Sequence, residues 1–336
     1  MNRVAVLGAG SWGTTFAKVL ADGGADTRLW ARRAELAHEI NESRRNTQYL
    51  QGVTLPEGLR ADSDARSVLE GADQVFLCVP SQQLRALLDD VSESIPAGVP
   101  VVSLMKGVEA STMMRMSEVI AEAGGIDSDR IAVVSGPNLA LEIAREEPTA
   151  AVVASDSSET AMAVARTARN SYFTSFVNTD VVGTEYGGVL KNLVALAIGI
   201  VDGVGYGENT KASILTRGLA EVTEFAVAHG AERTTMHGLA GLGDLIATCN
   251  SPLSRNFSAG RLLGMGYSRD DVVERMQQVA EGLASVEPIA SLAELRDVRM
   301  PILDQVRAVL LGRMLPREIA PHLTTGNEPE GETHDF

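Results

Sequence analysis

Residues 4–13 read Val4-Ala5-Val6-Leu7-Gly8-Ala9-Gly10-Ser11-Trp12-Gly13. A short β-branched run ends in G-x-G-x-x-G and passes into a helical pattern, Gly13–Ala21. Each glycine in that order has a physical reason. Gly8 permits a tight turn and Gly10 lets the backbone approach a pyrophosphate. Gly13 lets the helix pack close to the strand, with the helix N-terminus turned toward the phosphate charge. At the start of a strand–helix–strand unit the motif predicts a dinucleotide site. The bland alternative is a tight glycine turn without a ligand.

The end of the next strand bears on which dinucleotide. It reads Leu29-Trp30-Ala31-Arg32-Arg33. A site selective for NAD carries an acid about 20 residues after the glycines, to bind the ribose 2′-hydroxyl. Two arginines stand here instead, and a guanidinium pairs with a 2′-phosphate that a carboxylate would repel. NADP is therefore favoured, with NAD retained as a second cofactor. A solvated helix start is the plain reading of Arg32 and Arg33.

Outward from this unit, strand patterns recur at Arg3–Leu7, Asp26–Trp30, Gln74–Val79, Pro100–Leu104, Ile131–Ser135, Ala150–Ala154 and Tyr172–Val177, with amphipathic stretches between them. The alternation predicts an α/β protein with a Rossmann-type, doubly wound, mostly parallel sheet. Runs such as Val75-Phe76-Leu77-Cys78-Val79 stay apolar at every position, as strands buried on both faces do. After about Asp180 the strand signals stop and helical patterns take over. The expected division is a dinucleotide-binding domain over 1–180, an all-helical substrate domain over 181–323, and a disordered acidic tail over 324–336.

The chain has 336 residues and a net charge of −15. That surplus of acid disfavours nucleic acid and anionic membranes as partners, since both are recognised through surplus Lys and Arg. An anionic ligand needs a local basic site. Two cysteines make no disulfide framework. Cys78 reads as a core strand residue and Cys249 as part of a polar loop, both reduced thiols of a cytoplasmic protein. No signal-peptide pattern opens the chain, and the most apolar later stretch, Leu193 to Val201, is too short to span a bilayer, so no integral membrane association is expected. A homodimer is compatible with the sequence without being required by it.

Several segments together resemble the bacterial NAD(P)-dependent glycerol-3-phosphate dehydrogenases. They are Gly8 to Gly13, Asn46-Thr47-Gln48-Tyr49-Leu50, Lys106-Gly107, Gly136-Pro137-Asn138-Leu139-Ala140 with Glu142, Lys191-Asn192 ahead of Gly199 and Asp202-Gly203, Gly238 to Leu245, and Ser254-Arg255-Asn256. The likeness runs from about Met1 to about Gly312. It implies reversible reduction of dihydroxyacetone phosphate to sn-glycerol 3-phosphate, the backbone of glycerophospholipids, with Lys191 as proton donor and acceptor. It also implies a cofactor site of Gly8, Gly10, Ser11, Trp12, Gly13, Arg32, Arg33, Tyr49, Lys106, Ala140, Arg255, Val279 and Glu281. The implied substrate site is Lys106, Gly136, Asn138, Lys191, Asp244, Ser254, Arg255 and Asn256. Asn138 stands where the family usually has Ser or Thr; an amide still donates and accepts hydrogen bonds.

Read from the residues, Lys191 is conspicuous because the chain has only four lysines, Lys18, Lys106, Lys191 and Lys211. It lies in an apolar helical stretch whose face continues through Ala195, Gly199 and Asp202, small residues that leave room for a ligand. Burial would lower its pKa toward that of an acid/base catalyst. A structural pairing with Asp202 or Asp244 competes with that role. Lys106 and Gly136-Pro137-Asn138 each follow a strand, where ligands of a doubly wound sheet bind. Ser254-Arg255-Asn256 opens a helix and suits an anion, or Ser254 is merely an N-cap. Asp244 follows Gly238, Gly241 and Gly243 and could orient Lys191.

No metal is expected, since the five histidines form no H-x-x-x-H and pair with no cysteine at zinc spacing. No G-x-S-x-G stands on a strand–helix turn, so a serine hydrolase is disfavoured. A dehydrogenase of a β-hydroxy acid on the same architecture, and a non-catalytic NADP sensor, remain as alternatives.

Overall fold

The computed structural model describes residues 2–276 and 280–322. Val279 and the tail 324–336 lie outside the described residues. Eight strands, β1 (Arg3–Leu7), β2 (Asp26–Trp30), β3 (Leu59–Asp62), β4 (Gln74–Leu77), β5 (Val101–Ser103), β6 (Ile131–Ser135), β7 (Thr149–Ala154) and β8 (Phe173–Asn178), form one sheet. Its order is β3-β2-β1-β4-β5-β6-β7-β8. Every pairing is parallel except β6 with β7, which is antiparallel. The strand order reverses between β1 and β4, and the crevice beyond their carboxyl ends is where such sheets take ligands.

Strand β3 was not legible in the sequence. It is four residues long, pairs only with β2 at the sheet edge, and alternates buried with exposed side chains. Strand β4 ends at Leu77, so Cys78 lies just past the sheet and is half-buried. Burial pushes its thiol up to about 12.

The helices of the first part are α1 (Ser11–Asp22), α2 (Ala34–Ser43), α3 (Ala65–Leu69), α4 (Leu84–Val91), α5 (Met116–Gly124), α6 (Ala140–Ala144) and α7 (Ser158–Thr167). From Val181 onward the described residues form helices joined by turns, with no strand among them. The elements are α8 (Val181–Val204), α9 (Glu208–Ala228), α10 (Arg233–Met236), α11 (Asp244–Asn250), α12 (Arg255–Gly264), α13 (Arg269–Arg275), α14 (Glu281–Leu295), α15 (Pro301–Leu310) and α16 (Ile319–His322). Cys249 is in α11 and buried, not in a polar loop.

Helix α8 is the axis of this second part. Asp180 caps it, accepting from Gly183 N–H at 2.7 Å, and every residue from Gly183 to Val201 is buried. At 24 residues it is long and apolar enough to cross a membrane, so length does not exclude a span. Its burial does: 83% of the apolar window lies inside the protein, and it is the core against which the other helices pack.

The small residues on α8 have a different purpose from the one expected. A Cβ on Gly199 would lie 2.2 Å from Phe257 O, and one on Gly203 would lie 2.2 Å from Arg261 O. Reciprocally, a Cβ on Gly260 or Gly264 of α12 would lie 2.2 Å from Leu196 O or 2.1 Å from Ile200 O. The room on that face is filled by the backbone of α12. Asp202 faces Lys211 at 2.6 Å and Arg261 at 3.4 Å, well away from Lys191. A further contact ties α9 to α15. Glu221 accepts from the N–H groups of Ile302 (2.9 Å) and Leu303 (3.0 Å), capping that helix from outside.

Candidate active site

The glycine-rich loop is built as tightly as its sequence demands. Gly8 has φ +124°, and a Cβ there would lie 2.2 Å from Cys78 O. A Cβ on Gly13 would lie 1.9 Å from Gly8 O. Gly10, by contrast, has nothing within 4 Å of its Cβ position, so the loop is open on the side where a ligand would sit. Gly10 is the N-cap of α1, and no side chain caps that helix. Asn46 donates to Ala9 O (3.0 Å) and Thr14 Oγ1 (2.8 Å), Ser11 Oγ donates to Tyr49 O (2.8 Å), and Trp12 Nε1 donates to Leu104 O (3.0 Å). An open, pre-shaped cradle at a helix N-terminus fits a dinucleotide pyrophosphate.

Arg32 and Arg33 lie exposed beyond β2. Arg33 donates to Gln48 Oε1 and stands 6.0 Å from the Tyr49 ring centroid, so it is held against the segment that also receives Ser11. The positive charge is thus kept beside the mouth of the glycine loop.

The second constellation joins both parts of the chain. Lys191 Nζ donates to Asp244 Oδ1 at 2.6 Å and to Thr248 Oγ1 at 2.7 Å. Lys106 Nζ donates to Asp244 Oδ2 at 2.5 Å and to Gly136 O at 3.0 Å. Asp244 is 1% exposed and Lys191 8%. Two ammonium groups share one carboxylate, leaving one positive charge unmatched in a dry setting. Burial lowers Lys106 from 10.5 to about 8, with Asp244 pulling it up and Lys191 pushing it down.

The segment that accepts Lys106 at Gly136 O also carries unpartnered polar groups. Asn138 Oδ1 and Nδ2, and Ser135 Oγ, are buried and lack hydrogen-bond partners among the described residues. Leaving such groups unpaired costs about 1–3 kcal/mol each, which a polar ligand would recover. Gly188 of α8 lets Lys106 pass, since a Cβ there would lie 3.2 Å from Lys106 Cγ and 2.7 Å from Ser135 Oγ.

The remaining predicted residues divide. Ser254 is an N-cap, accepting from Phe257 N–H at 3.2 Å. Arg255 is exposed at the first turn of α12, and its charge reaches the thiol of Cys78 at the crevice. The side chain of Asn256 is engaged elsewhere, donating to Asn192 Oδ1 (2.8 Å) and accepting from Gly282 N–H (2.9 Å). It can offer an anion its backbone N–H in the first turn. Glu281 accepts from Ser81 Oγ (2.7 Å) and Ser81 N–H (3.3 Å), joining α14 to the turn after β4. Ala140 O accepts from Thr15 Oγ1 at 3.2 Å, linking α1 to α6. Thr248 was missed, although Asp244 and Thr248 are spaced i, i+4 on one helix and so share a face.

Comparison with known proteins accords with this geometry. Residues 3–161 match the family model described as the NAD-dependent glycerol-3-phosphate dehydrogenase N-terminus, and residues 180–321 match that of its C-terminus. The chain belongs to the NAD-dependent glycerol-3-phosphate dehydrogenase family. Its relatives include the glycerol-3-phosphate dehydrogenase [NAD(P)+] of Leifsonia xyli, 67% identical over 97% of this chain and 89% of that one. That of Streptomyces griseus is 51% identical over 92% of each. The crystal structure of the glycerol-3-phosphate dehydrogenase of Coxiella burnetii superimposes with a TM-score of 0.90 at 34% identity, covering 96% of this chain and 98% of that one.

Proposed function

We propose that the chain reduces dihydroxyacetone phosphate to sn-glycerol 3-phosphate, reversibly, with NADPH preferred and NADH accepted. One observation carries this reading. Lys106 and Lys191 share the buried carboxylate of Asp244, and Lys106 also reaches Gly136 O, two residues before Asn138, whose amide has no partner among the described residues. Such a site suits a small polar anion with a carbonyl oxygen.

Residues 1–180 form the dinucleotide-binding domain and 181–323 the substrate domain. Gly8, Gly10, Gly13 and the first turn of α1 hold the pyrophosphate, with Arg33 and Arg32 on the 2′-phosphate. When bound, the nicotinamide supplies a hydride. Lys191 gives the carbonyl oxygen its proton from Nζ, held in place by Asp244 and Thr248. The charge of Lys106 holds the carbonyl oxygen in substrate and transition state alike, in a water-poor setting, so its loss would raise KM. Arg255 and the first-turn N–H groups of α12 take the substrate phosphate, and Asn138 takes a hydroxyl or the carbonyl. The free thiols of Cys78 and Cys249 support a cytoplasmic setting.

Turnover measured with dihydroxyacetone phosphate and with unphosphorylated dihydroxyacetone tests the reading. A charge-assisted hydrogen bond to the phosphate contributes about 1.5–3 kcal/mol. The phosphorylated ketone should be far the better substrate, and Arg255→Ala should narrow the gap by raising KM. Equal efficiency with both ketones in the parent would refute phosphate recognition.

A further inference from the structure

We propose that Glu185 is a positioning residue for Lys106, acting through Arg115 at the far end of the loop that carries the lysine. The inference rests on the substrate role given to Lys106 above.

Lys106 sits in the segment between β5 and α5. That segment is closed on itself. Val108 and Arg115 form an antiparallel β-bridge, Glu109 N–H donates to Met114 O at 2.9 Å, and Met113 N–H donates to Glu109 O at 2.8 Å. Arg115 therefore lies directly across from Val108, and Val108 is two residues from Lys106. Whatever fixes Arg115 fixes the stem from which Lys106 projects.

Glu185 does this from α8. Its carboxylate accepts from Arg115 Nη1 (2.6 Å), Ser117 N–H (2.9 Å) and Ser117 Oγ (2.5 Å). The pair is removed from water, with side-chain exposures of 14% for Arg115 and 5% for Glu185. Glu185 and Gly188 are three apart and so share a face of α8, and Gly188 is where the methylenes of Lys106 cross the helix. One helix thus holds the lysine at its stem and the loop at its bridge. On its other side Gln82 holds the same loop, donating to Val108 O (2.8 Å) and accepting from Ala110 N–H (2.9 Å).

A buried ion pair is a poor choice for stability alone, because apolar groups of similar size stabilise as well or better. Its directional bonds instead set a register. Lys106 needs one, because its ammonium must meet both Asp244 and Gly136 O, and a displacement of 1 Å in such contacts costs about 100-fold.

The experiment is a double-mutant cycle in the full-length enzyme, with KM for dihydroxyacetone phosphate, kcat and Tm measured on each variant. Glu185→Gln should raise KM about tenfold and change kcat much less. On top of Lys106→Ala it should raise KM no further, since its effect passes through that lysine. Independent, multiplying effects would overturn the proposal. If Glu185→Gln fails to fold, the neutral pair Glu185→Met with Arg115→Met carries the test, because it leaves no unpaired buried charge. That pair leaves Ser117 N–H and Oγ without their acceptor, so Tm should fall moderately while the folded enzyme still shows a raised KM, and a parental KM in it would overturn the proposal. If Lys106→Ala itself leaves KM unchanged, the substrate role of Lys106 falls and the positioning role with it. If Lys106→Ala raises KM and Glu185→Gln does not, the positioning role alone falls.

Discussion

Lys106, from the loop after a sheet strand, and Lys191, from the central helix, approach one carboxylate from two parts of the chain, 2.5 Å and 2.6 Å from its two oxygens. Asp244 is therefore the point at which the sheet and the helices meet chemically. The residues 85 positions apart in sequence have their ammonium groups set by a third.

Lys191→Ala should abolish turnover while leaving NADPH binding nearly intact, because the glycine cradle and Arg33 lie elsewhere. Losing a positioned general acid costs about 100- to 10,000-fold. Turnover, NADPH affinity and Tm measured on one preparation check this. A folded variant that binds NADPH and keeps more than about a tenth of the parent rate would exclude the general-acid role.

Asp244→Asn leaves two buried ammonium groups without their carboxylate. Breaking a buried pair costs about 3–5 kcal/mol, so Tm should fall markedly. The attraction that holds Lys106 up at about 8 is lost, and its pKa should drop further. Substrate affinity should then weaken at a lower pH than in the parent. A KM–pH profile with its limb unmoved would contradict this.

Replacing Arg32 and Arg33 together by Ala should lower NADPH affinity by at least about tenfold, with little effect on NADH, since charged hydrogen bonds contribute about 1.5–3 kcal/mol each. Titration of both cofactors against parent and variant decides it. An unchanged affinity ratio would remove these arginines from the 2′-phosphate.

Glu221 gives a pH dependence of stability with a definite sign. Burial raises its carboxyl from 4.5 to about 8, against the pull of the Ile302 and Leu303 N–H groups. A group that holds its proton more tightly when folded contributes stability in full below about 4.5, and loses it as pH rises through about 8. Glu221→Gln should be the less stable protein at acidic pH, having one acceptor fewer, and the Tm gap should shrink as pH rises toward 8. A gap constant over that range would refute the shift.

Much of this was legible. Gly8 makes a turn and Gly13 a close contact that other residues cannot make, and strands buried on both faces leave uninterrupted apolar runs. The burial of Lys191 followed from its neighbours. What occupies a helix face does not follow from the face itself. Ala195 and Gly199 read as space for a ligand, and only the fold brings α12 against Gly199. Asn256 carries the right groups for an anion, but its amide is committed to Asn192 and Gly282, a pairing made across three helices. The Glu185–Arg115 contact spans 70 positions, and no local pattern points to it.

The main-chain contact of α8 with α12 sets a limit on what the enzyme can accept. Where helices meet through side chains, a change of rotamer can widen the gap. Here glycines rest on carbonyl oxygens, and there is nothing in between to turn aside. In the proposed reading Lys191 on one helix and Arg255 on the other hold the two ends of the substrate, and their helix backbones keep a fixed spacing. A ketone with one more carbon between carbonyl and phosphate would find no slack there. Any widening of substrate range is then expected from the segment Ser135–Asn138, whose side chains can be exchanged.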